Sequence, residues 1–402
     1  MNDKFVFSMW TYNDFEEFTP DEMDKWVECG MTVPMLPKTY ISKHDPERLI
    51  PWLDRAEKLG IKVIVNYWDM DYRDYIALGE EGYTNRIRPV YDALAGHPAV
   101  YGFYVGDEPL GGEQIEAAYN CIRVNKKLAP HLTPFLNYRG GTVDFSKEDL
   151  GGRTLGGWMK RVHDETGTTD ICFDVYGQMI NDGGGKDGFF QIVDRMREAG
   201  READDSDVWA CLLSSGHHVY AAPNETDIRW QINMSAALGM RGVMWFRFYD
   251  RVGANELFGS PIDEYGNKTE AYYAMMRCQR RFTDNYGELM MKLKHKKTYA
   301  VKSDRGVLPE FTEGCHELIK SIKPNDETIV SFFEDEGGVE YLCVVHGVTK
   351  YYGVVKIAHD EEKCDLVEVR LNGKQCGKVG EDEDGEFFFI PAGLKLFRID
   401  RK

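Results

Sequence analysis

The sequence predicts an α/β protein in which a (β/α)8 TIM barrel is followed by a small all-β antiparallel sandwich. Three observations carry this prediction. Short apolar strands alternate with amphipathic helices eight times, no glycine-rich phosphate loop follows any strand, and closely spaced strands replace the helices from residue 295 onward. We therefore expect a barrel over residues 1–294 and a β-sandwich over residues 295–402.

The barrel strands are predicted from short runs rich in Val, Ile, Phe, Tyr or Trp. They are residues 4–12, 32–36, 62–68, 100–105, 133–139, 170–176, 208–213 and 242–249. Helix starts carry capping residues, as at Thr19 before Pro20, Asp45 before Pro46, and Asn224. The sandwich strands are predicted at 340–346, 353–358, 366–371, 386–390 and 393–400.

Composition narrows the classes of partner. The 402 residues contain 49 Lys and Arg against 67 Asp and Glu, a net charge of −18, which repels phosphate backbones and anionic membranes. We therefore predict no nucleic-acid and no membrane partner, and leave a homo-oligomer open. The cysteines lack CxxC spacing and the N-terminus has no export signal, which predicts a cytosolic protein with reduced core thiols.

The fourth predicted strand ends in two acids. It reads HPAVYGFYVGDEP, so Asp107 and Glu108 follow Gly106 and precede Pro109, which cannot pair as a strand residue. In a barrel the carboxyl ends of the strands surround the mouth where chemistry is done. The acid pair is therefore predicted at the catalytic face. The alternative is a surface turn, because these residue types are common in turns.

Side-chain alternation along the strands predicts which residues face the inside of the barrel. The inward set consists of aromatic rings and planar polar groups: Trp10, Tyr12, Asn66, Trp68, Tyr104, Asn137, Arg139, Asp174, Tyr176, Trp245, Arg247 and Tyr249. Sugars stack their apolar faces on aromatic rings and hydrogen-bond planar or charged groups. The mouth is therefore predicted to bind a small carbohydrate, although any single residue of this set could belong to the barrel core.

Three segments resemble a known family. HPAVYGFYVGDEP, DICFDVYG and PNETDIRWQINMSAALGMRGVMWFRFYD are similar to the clan A glycoside hydrolase barrel, especially its β-galactosidase-like members, over about three quarters of the chain. The resemblance implies that Glu108 is the acid/base and that Asp107 replaces the polar residue, usually Asn, that precedes it. The family nucleophile is a Glu that ends the seventh strand. In this sequence the seventh predicted strand and the residues after it, VWACLLSSGHH, contain no acid, and the next acidic residue is Glu225.

Glycoside hydrolysis needs one carboxyl to protonate the leaving oxygen and a second group at the anomeric carbon. We expect Glu108 to be the acid, because a like-charged neighbour and an apolar wall would raise its pKa. Asp174 is the first choice for the second group, ahead of Asp107, Asp69 and Asp250. The predicted function is hydrolysis of a short oligosaccharide or glycoside by this carboxylate pair, without a cofactor or metal.

Two other functions stay open. A metal-dependent sugar isomerase or lyase could use Glu108, Asp174 and His217 or His218 as ligands. A non-catalytic carbohydrate-binding protein derived from a hydrolase would explain the missing seventh-strand acid. Separately, Arg139 or Arg247 is predicted to grip a substrate carboxylate or sulfate, or else to pair with Asp107 or Asp174.

Overall fold

The computed structural model describes residues 3–180, 185–251, 257–378 and 386–402. Its first part is a parallel sheet. The strands are β1 (Val6–Met9), β2 (Val63–Val65), β3 (Val100–Asp107), β4 (Thr133–Tyr138), β5 (Asp170–Asp174), β6 (Asp207–Leu213), the two-residue β7 (Gly216–His217) and β8 (Gly242–Phe246). All except β7 form one seven-stranded sheet in the order β1-β8-β6-β5-β4-β3-β2, and β7 pairs with β9 (Leu257–Phe258).

The second predicted strand, residues 32–36, is not a regular strand, and this part of the prediction is wrong. The segment is extended and lies between β1 and β2. The Val33 N–H donates to the Phe7 carbonyl (3.1 Å) and the Leu36 N–H donates to the Ile64 carbonyl (2.9 Å). Pro34 in its centre has no N–H to donate, which interrupts a regular ladder. The segment nevertheless joins the two sheet edges, so the barrel is closed.

Helices cover the outside of the barrel. They are α1 (Met23–Cys29), α2 (Ile50–Leu59), α3 (Tyr72–Leu94), α4 (Glu113–Leu128), α5 (Leu155–Thr166), α6 (Lys186–Glu202), α7 (Glu225–Ala237), α8 (Glu270–Phe282) and α9 (Glu288–Lys292). The Asn224 side chain accepts from the N–H groups of Thr226 and Asp227, as its capping role predicts. Thr19 precedes a short 3-10 turn at Pro20–Glu22 that leads into α1.

The rest of the chain forms antiparallel sheets. The strands are β10 (Lys294–Val301), β11 (Ile319–Pro324), β12 (Thr328–Glu334), β13 (Glu340–His346), β14 (Gly353–His359), β15 (Cys364–Arg370), β16 (Gln375–Lys378), β17 (Glu386–Phe389) and β18 (Leu394–Arg401). Six form the sheet β10-β12-β13-β18-β15-β16, and β11-β14-β17 form a second sheet. Apolar side chains of both sheets, such as Leu342 and Ile357, share one core. The predicted fold class is confirmed.

The six-stranded sheet lies against the barrel through α7. The Trp230 indole N–H donates to the Gly347 carbonyl (3.1 Å), and the Asn233 amide donates to the Ala392 carbonyl (2.7 Å). Helix α9 ends at Lys292 and β10 begins at Lys294, which is where the sequence predicts the boundary between the two domains. The division into two separate folding units stays a prediction. None of the helices in the described ranges combines the length and apolarity needed to cross a bilayer.

Candidate active site at the mouth of the barrel

Strand β3 places the two predicted acids at the mouth. Its pairing with β4 shifts register between Tyr104 and Gly106, and a Cβ on Gly106 would lie 2.4 Å from the Tyr72 ring, so only glycine fits there. Glu108 has a positive φ of 45°, and its N–H donates to the Asn137 carbonyl (2.8 Å). The chain therefore turns sharply, which leaves Asp107 partly buried and Glu108 exposed.

Asn137 links two carboxylates at the ends of neighbouring strands. Its Nδ2 donates to Asp107 Oδ1 and to Asp174 Oδ1, each at 3.0 Å, and the Tyr176 hydroxyl also donates to Asp174 Oδ1 (2.9 Å). Both oxygens lie 3.0 Å from one nitrogen, so these two carboxylates are close neighbours. We call Asp107, Glu108 and Asp174 the acidic cluster.

Burial and mutual repulsion change the acidity of this cluster. Burial raises the pKa of Asp174 well above its usual value, and the charges of Asp107 and Glu108 and a hydrogen bond with Glu108 add to the rise. Burial also raises the pKa of Asp107 to about 6, and the Glu108 charge contributes. Hydrogen bonds from Asn137 oppose both shifts. The cluster therefore keeps a proton to a higher pH than free carboxyl groups do.

The expectation of an apolar wall around Glu108 is wrong. Its side chain is exposed at the end of β3, where the backbone turns with a positive φ. Burial falls instead on Asp107 and Asp174. The resulting arrangement has two partly buried acids beneath one exposed acid.

Aromatic rings surround the acidic cluster. The ring of Tyr12 lies 6.1 Å from Trp10, 6.0 Å from Trp68 and 5.8 Å from Phe246, measured between ring centres. Burial raises the pKa of the Tyr12 hydroxyl, and the charges of Asp107, Asp174 and Glu108 add to the rise. The predicted inward residues Trp10, Tyr12, Trp68, Tyr104 and Tyr176 all border the barrel interior.

Three residues with ring side chains at the mouth were not among the predicted substrate-binding residues. Phe246 packs against Tyr176 (5.7 Å), and His217 and Tyr220 pack against the same ring at 5.9 and 5.7 Å. Phe246 could have been found by continuing the alternation outward from Met244, which faces the barrel interior. His217 ends β7 and Tyr220 lies in the turn that follows, and no sequence periodicity reveals the position of either residue.

The predicted inward positions of Trp245 and Tyr249 are wrong. The Trp245 indole N–H donates to Gln279 on α8 (3.1 Å), so this ring lies between the barrel and its helices. The Tyr249 hydroxyl accepts from the Trp26 indole N–H on α1 and donates to Glu22 (3.2 Å). The inward residues of β8 are Met244 and Phe246, one position out of phase with the prediction.

Arg247 is buried, with 1% of its surface exposed, and its pairing with Asp107 or Asp174 stays a prediction. The Arg247 guanidinium lies 3.8 Å from Asp250, and the Arg247 backbone N–H donates to Ser215 Oγ (3.3 Å). Arg139 is half-buried beside Gly141. A grip of either arginine on an anionic substrate stays a prediction.

Asn66 and the weaker acid candidates have structural partners. Asn66 donates to the Leu36 carbonyl (3.2 Å) and so holds the extended segment between β1 and β2. Asp69 accepts from the Ile41 N–H (2.7 Å) and pairs with Arg86 (2.8 Å), and Asp250 accepts from the Ser260 N–H (3.2 Å). These contacts occupy both carboxylates away from the acidic cluster.

The seventh barrel position carries no acid at the mouth. Residues 214–224, which follow β6, contain no Asp or Glu. Glu225 is the first residue of α7, and it pairs with Arg229 and Arg277, each at 2.7 Å. Within the described ranges, β6 is followed by Ser214, Ser215 and His217 instead of an acid.

The metal-site alternative requires ligand atoms that converge. In the part of the chain that the structure describes, groups of three such residues occur only away from the mouth, at Asp54, Glu57 and His97 and at His163, Asp164 and Asp204. His217 packs among aromatic rings, and burial lowers its pKa. Among the described residues, the mouth thus supplies proton donors and acceptors but no group of three converging metal ligands.

Comparisons with known proteins agree on the fold. No family model and no curated protein sequence matches the chain. A glycoside hydrolase family 5 structure from Bacteroides vulgatus aligns with 98% of this chain and 89% of its own, with a TM-score of 0.60 and 10% identity. The match includes the antiparallel sheets, since it covers nearly the whole chain.

Two further structures match the chain in part. A glycoside hydrolase of family 5 from Streptomyces cattleya, solved with Manβ1-4GlcNAc, covers 69% of this chain and 80% of its own, with a TM-score of 0.50 and 16% identity. A β-galactosidase from Marinomonas ef1 covers 69% of this chain and 59% of its own, with a TM-score of 0.50 and 10% identity. This chain thus spans less than two thirds of that enzyme. The predicted resemblance in fold to glycoside hydrolase barrels is confirmed.

Proposed function

We propose that the protein is a glycoside hydrolase that cleaves a short oligosaccharide or glycoside at the mouth of the barrel. One observation carries the proposal: Asn137 holds Asp107 and Asp174 side by side at the strand ends, below the exposed Glu108 and among aromatic rings. Acids that can exchange a proton, next to rings on which a sugar can stack, are what cleavage of a glycosidic bond requires.

Glu108 is assigned the role of general acid. Its exposed carboxyl follows Asp107 at the end of β3 and can reach the oxygen of a leaving group at the rim. Asp174 is assigned the second role, at the anomeric carbon, because Asn137 and the Tyr176 hydroxyl fix its orientation. Asp107 supports the charge balance of the pair.

A panel of aryl glycosides of several sugars tests this function. We expect turnover of at least one member by the wild type, and loss of most of it in Glu108→Gln and Asp174→Asn. Asp170→Asn is the matched control, because burial also raises the pKa of Asp170 to about 6, but Asp170 begins β5 at the opposite end of the barrel. Turnover of none of the glycosides would overturn the proposal.

The missing seventh-strand acid favours a second candidate, a carbohydrate-binding protein without catalytic activity. It predicts binding of a sugar from the same panel, measured by calorimetry, with no release of the aryl group. It also predicts that Glu108→Gln leaves the affinity nearly unchanged. Hydrolysis by the wild type that is lost in Glu108→Gln excludes this candidate.

A further inference from the structure

We propose that a cleft between the barrel and the antiparallel sheets, which we call the distal cleft, binds the non-reacting end of a neutral oligosaccharide several sugar units long. This inference rests on the proposed function and narrows its substrate class. Three findings lead to it: the distal cleft adjoins the mouth, it carries an exposed aromatic ring that is held in place, and its basic and acidic side chains are equal in number.

The distal cleft lies where the loop after β5 meets the loops of the antiparallel sheets. Its volume is about 1030 Å³, and it is lined on the barrel side by Met179, Ile180 and Ala221 and on the other side by Lys302 and residues 348–351. Sites for drug-sized ligands measure roughly 300 to 1,000 Å³. The distal cleft therefore has room for more than one sugar ring.

A short series of contacts connects the distal cleft to the mouth. The Ala221 N–H donates to the Met179 carbonyl (2.9 Å), so the two barrel-side loops are joined. Ala221 directly follows Tyr220, whose ring lies 5.7 Å from that of Tyr176. The Tyr176 hydroxyl in turn donates to Asp174 in the acidic cluster (2.9 Å). A sugar chain that leaves the acidic cluster along these two rings can therefore enter the distal cleft.

Tyr351 offers a ring on which a sugar can stack. It is 48% exposed, yet its position is fixed at both ends. Its hydroxyl donates to Asp326, its carbonyl accepts from His346 Nε2 (3.2 Å), and the Tyr351 and His346 rings lie 6.3 Å apart. Sugars stack their apolar faces on such rings, and a ring that is already held in place loses little conformational freedom on binding.

The polar lining of the distal cleft suits hydroxyl groups on a ligand without net charge. Among the described residues, four basic and four acidic side chains line it. Arg305 and Glu327 already pair with each other (2.7 Å), whereas Asp304 and Lys350 are exposed. Carboxylates accept hydrogen bonds from sugar hydroxyls, and ammonium groups donate to them. The balance of charge favours a neutral sugar chain, because a polyanion would need an excess of basic groups.

The first test uses only the wild type, so it does not depend on the folding of a variant. Its probes are β-1,4-linked gluco-, manno-, galacto- and xylo-oligosaccharides of two to six units. Contacts away from the cleaved bond hold the substrate and the transition state equally, so they lower KM and leave kcat unchanged. For the sugar series that is hydrolysed, we expect kcat/KM to rise at least about tenfold from the disaccharide to the longest chains. A kcat/KM that does not vary with length would overturn the inference and leave the proposed function standing.

The second test removes the ring with Tyr351→Ala. Tyr352→Ala is the matched control, because Tyr352 is 62% exposed but does not line the distal cleft. We expect Tyr351→Ala to raise KM at least about tenfold for the longest chain that is hydrolysed. Its turnover of an aryl monosaccharide should stay at the wild-type value, which also shows that the variant is folded. Tyr352→Ala should match the wild type on both substrates, and equal KM values in all three proteins would overturn the inference.

Calorimetric titration with the same oligosaccharides separates this inference from the proposed function. Affinity that grows with chain length and is lost in Tyr351→Ala, without hydrolysis by the wild type, would overturn the proposed function and keep the distal cleft as a sugar site. Neither binding nor hydrolysis of any of the oligosaccharides would overturn both.

Discussion

The side-chain nitrogen of Asn137 lies 3.0 Å from Asp174 Oδ1, while its side-chain carbonyl oxygen is buried without a hydrogen-bond partner in the described part of the chain. The same nitrogen donates to Asp107. Exchanging the oxygen and nitrogen positions would put a carbonyl against two carboxylates, so the amide orientation is fixed by its acidic partners. Asn137 therefore sets both the separation and the acidity of the two acids.

Asn137→Ala should move the acidic limb of the pH dependence of kcat/KM to higher pH. The hydrogen bonds of Asn137 lower the pKa of Asp107 and of Asp174, so their removal raises both values. We also expect kcat to fall, because the two carboxylates lose their shared donor. Rate profiles between pH 4 and pH 9 measure the shift, and an unmoved limb would show that neither pKa governs turnover.

Glu108→Gln should lower turnover of glycosides with poor leaving groups about 10² to 10⁴-fold, because the amide cannot donate a carboxylic proton. An activated aryl glycoside needs less protonation and should lose less. Steady-state kinetics on two substrates that differ only in the leaving group measures this. Glu113→Gln, an exposed residue at the start of α4, is the control and should match the wild type. Equal losses on both substrates would assign Glu108 a role other than acid.

Asp107→Asn should stabilise the protein at neutral pH. The folded protein raises the pKa of Asp107 from 3.8 to about 6, so it retains a proton that the unfolded chain releases. The stability that the folded protein gains from holding this proton is fully present below the pKa of the unfolded chain, and it is lost as the pH rises through about 6. The amide has no charge to bury, so the gain in unfolding free energy should reach about 2 to 3 kcal/mol at pH 7.5.

Denaturant unfolding at several pH values measures this gain, which should shrink toward pH 4. Asp170→Asn should show the same pH dependence, because burial raises the pKa of Asp170 to about 6 as well. Only Asp107→Asn should also change kcat, since Asp170 lies at the opposite end of the barrel. A gain that does not vary with pH would have another cause.

Trp245→Phe should destabilise the fold by about 1 to 3 kcal/mol, because it removes buried volume and the hydrogen bond to Gln279. KM should stay at the wild-type value, since the ring faces α8. Thermal unfolding and steady-state kinetics together check this. A large increase in KM with unchanged stability would return Trp245 to the mouth.

Much of the fold follows from local patterns in the sequence. The acid pair at the end of β3, the inward position of Tyr176 beyond β5, and the change to antiparallel strands near residue 294 all appear in the structure. Residues 32–36 do not form the predicted strand, because Pro34 breaks the ladder and the segment is held by hydrogen bonds to β1 and β2 instead. Such tertiary contacts leave no period in the sequence.

The eighth strand marks a limit of alternation. The rule applies only inside a regular strand, and β8 ends at Phe246, before Arg247 and Tyr249. A buried arginine was assumed to need the barrel interior, yet Arg247 lies beside Asp250 and Ser215 beyond the strand end. In β8 the inward-facing residues are Met244 and every second residue from it. Only the packing of Trp245 against α8 shows that this set, and not the alternate one, faces the barrel interior.

The shared donor of Asn137 also has a calorimetric consequence. Asp107 and Asp174 share this nitrogen, and the raised pKa of each keeps a hydrogen ion bound to a higher pH than a free carboxyl group would. A ligand that donates an N–H to Asp174 favours the ionised carboxylate and releases that hydrogen ion to the buffer. The heat of sugar binding should therefore differ between phosphate and Tris in proportion to their ionisation enthalpies, so that titrations in two buffers count the hydrogen ions that each ligand displaces.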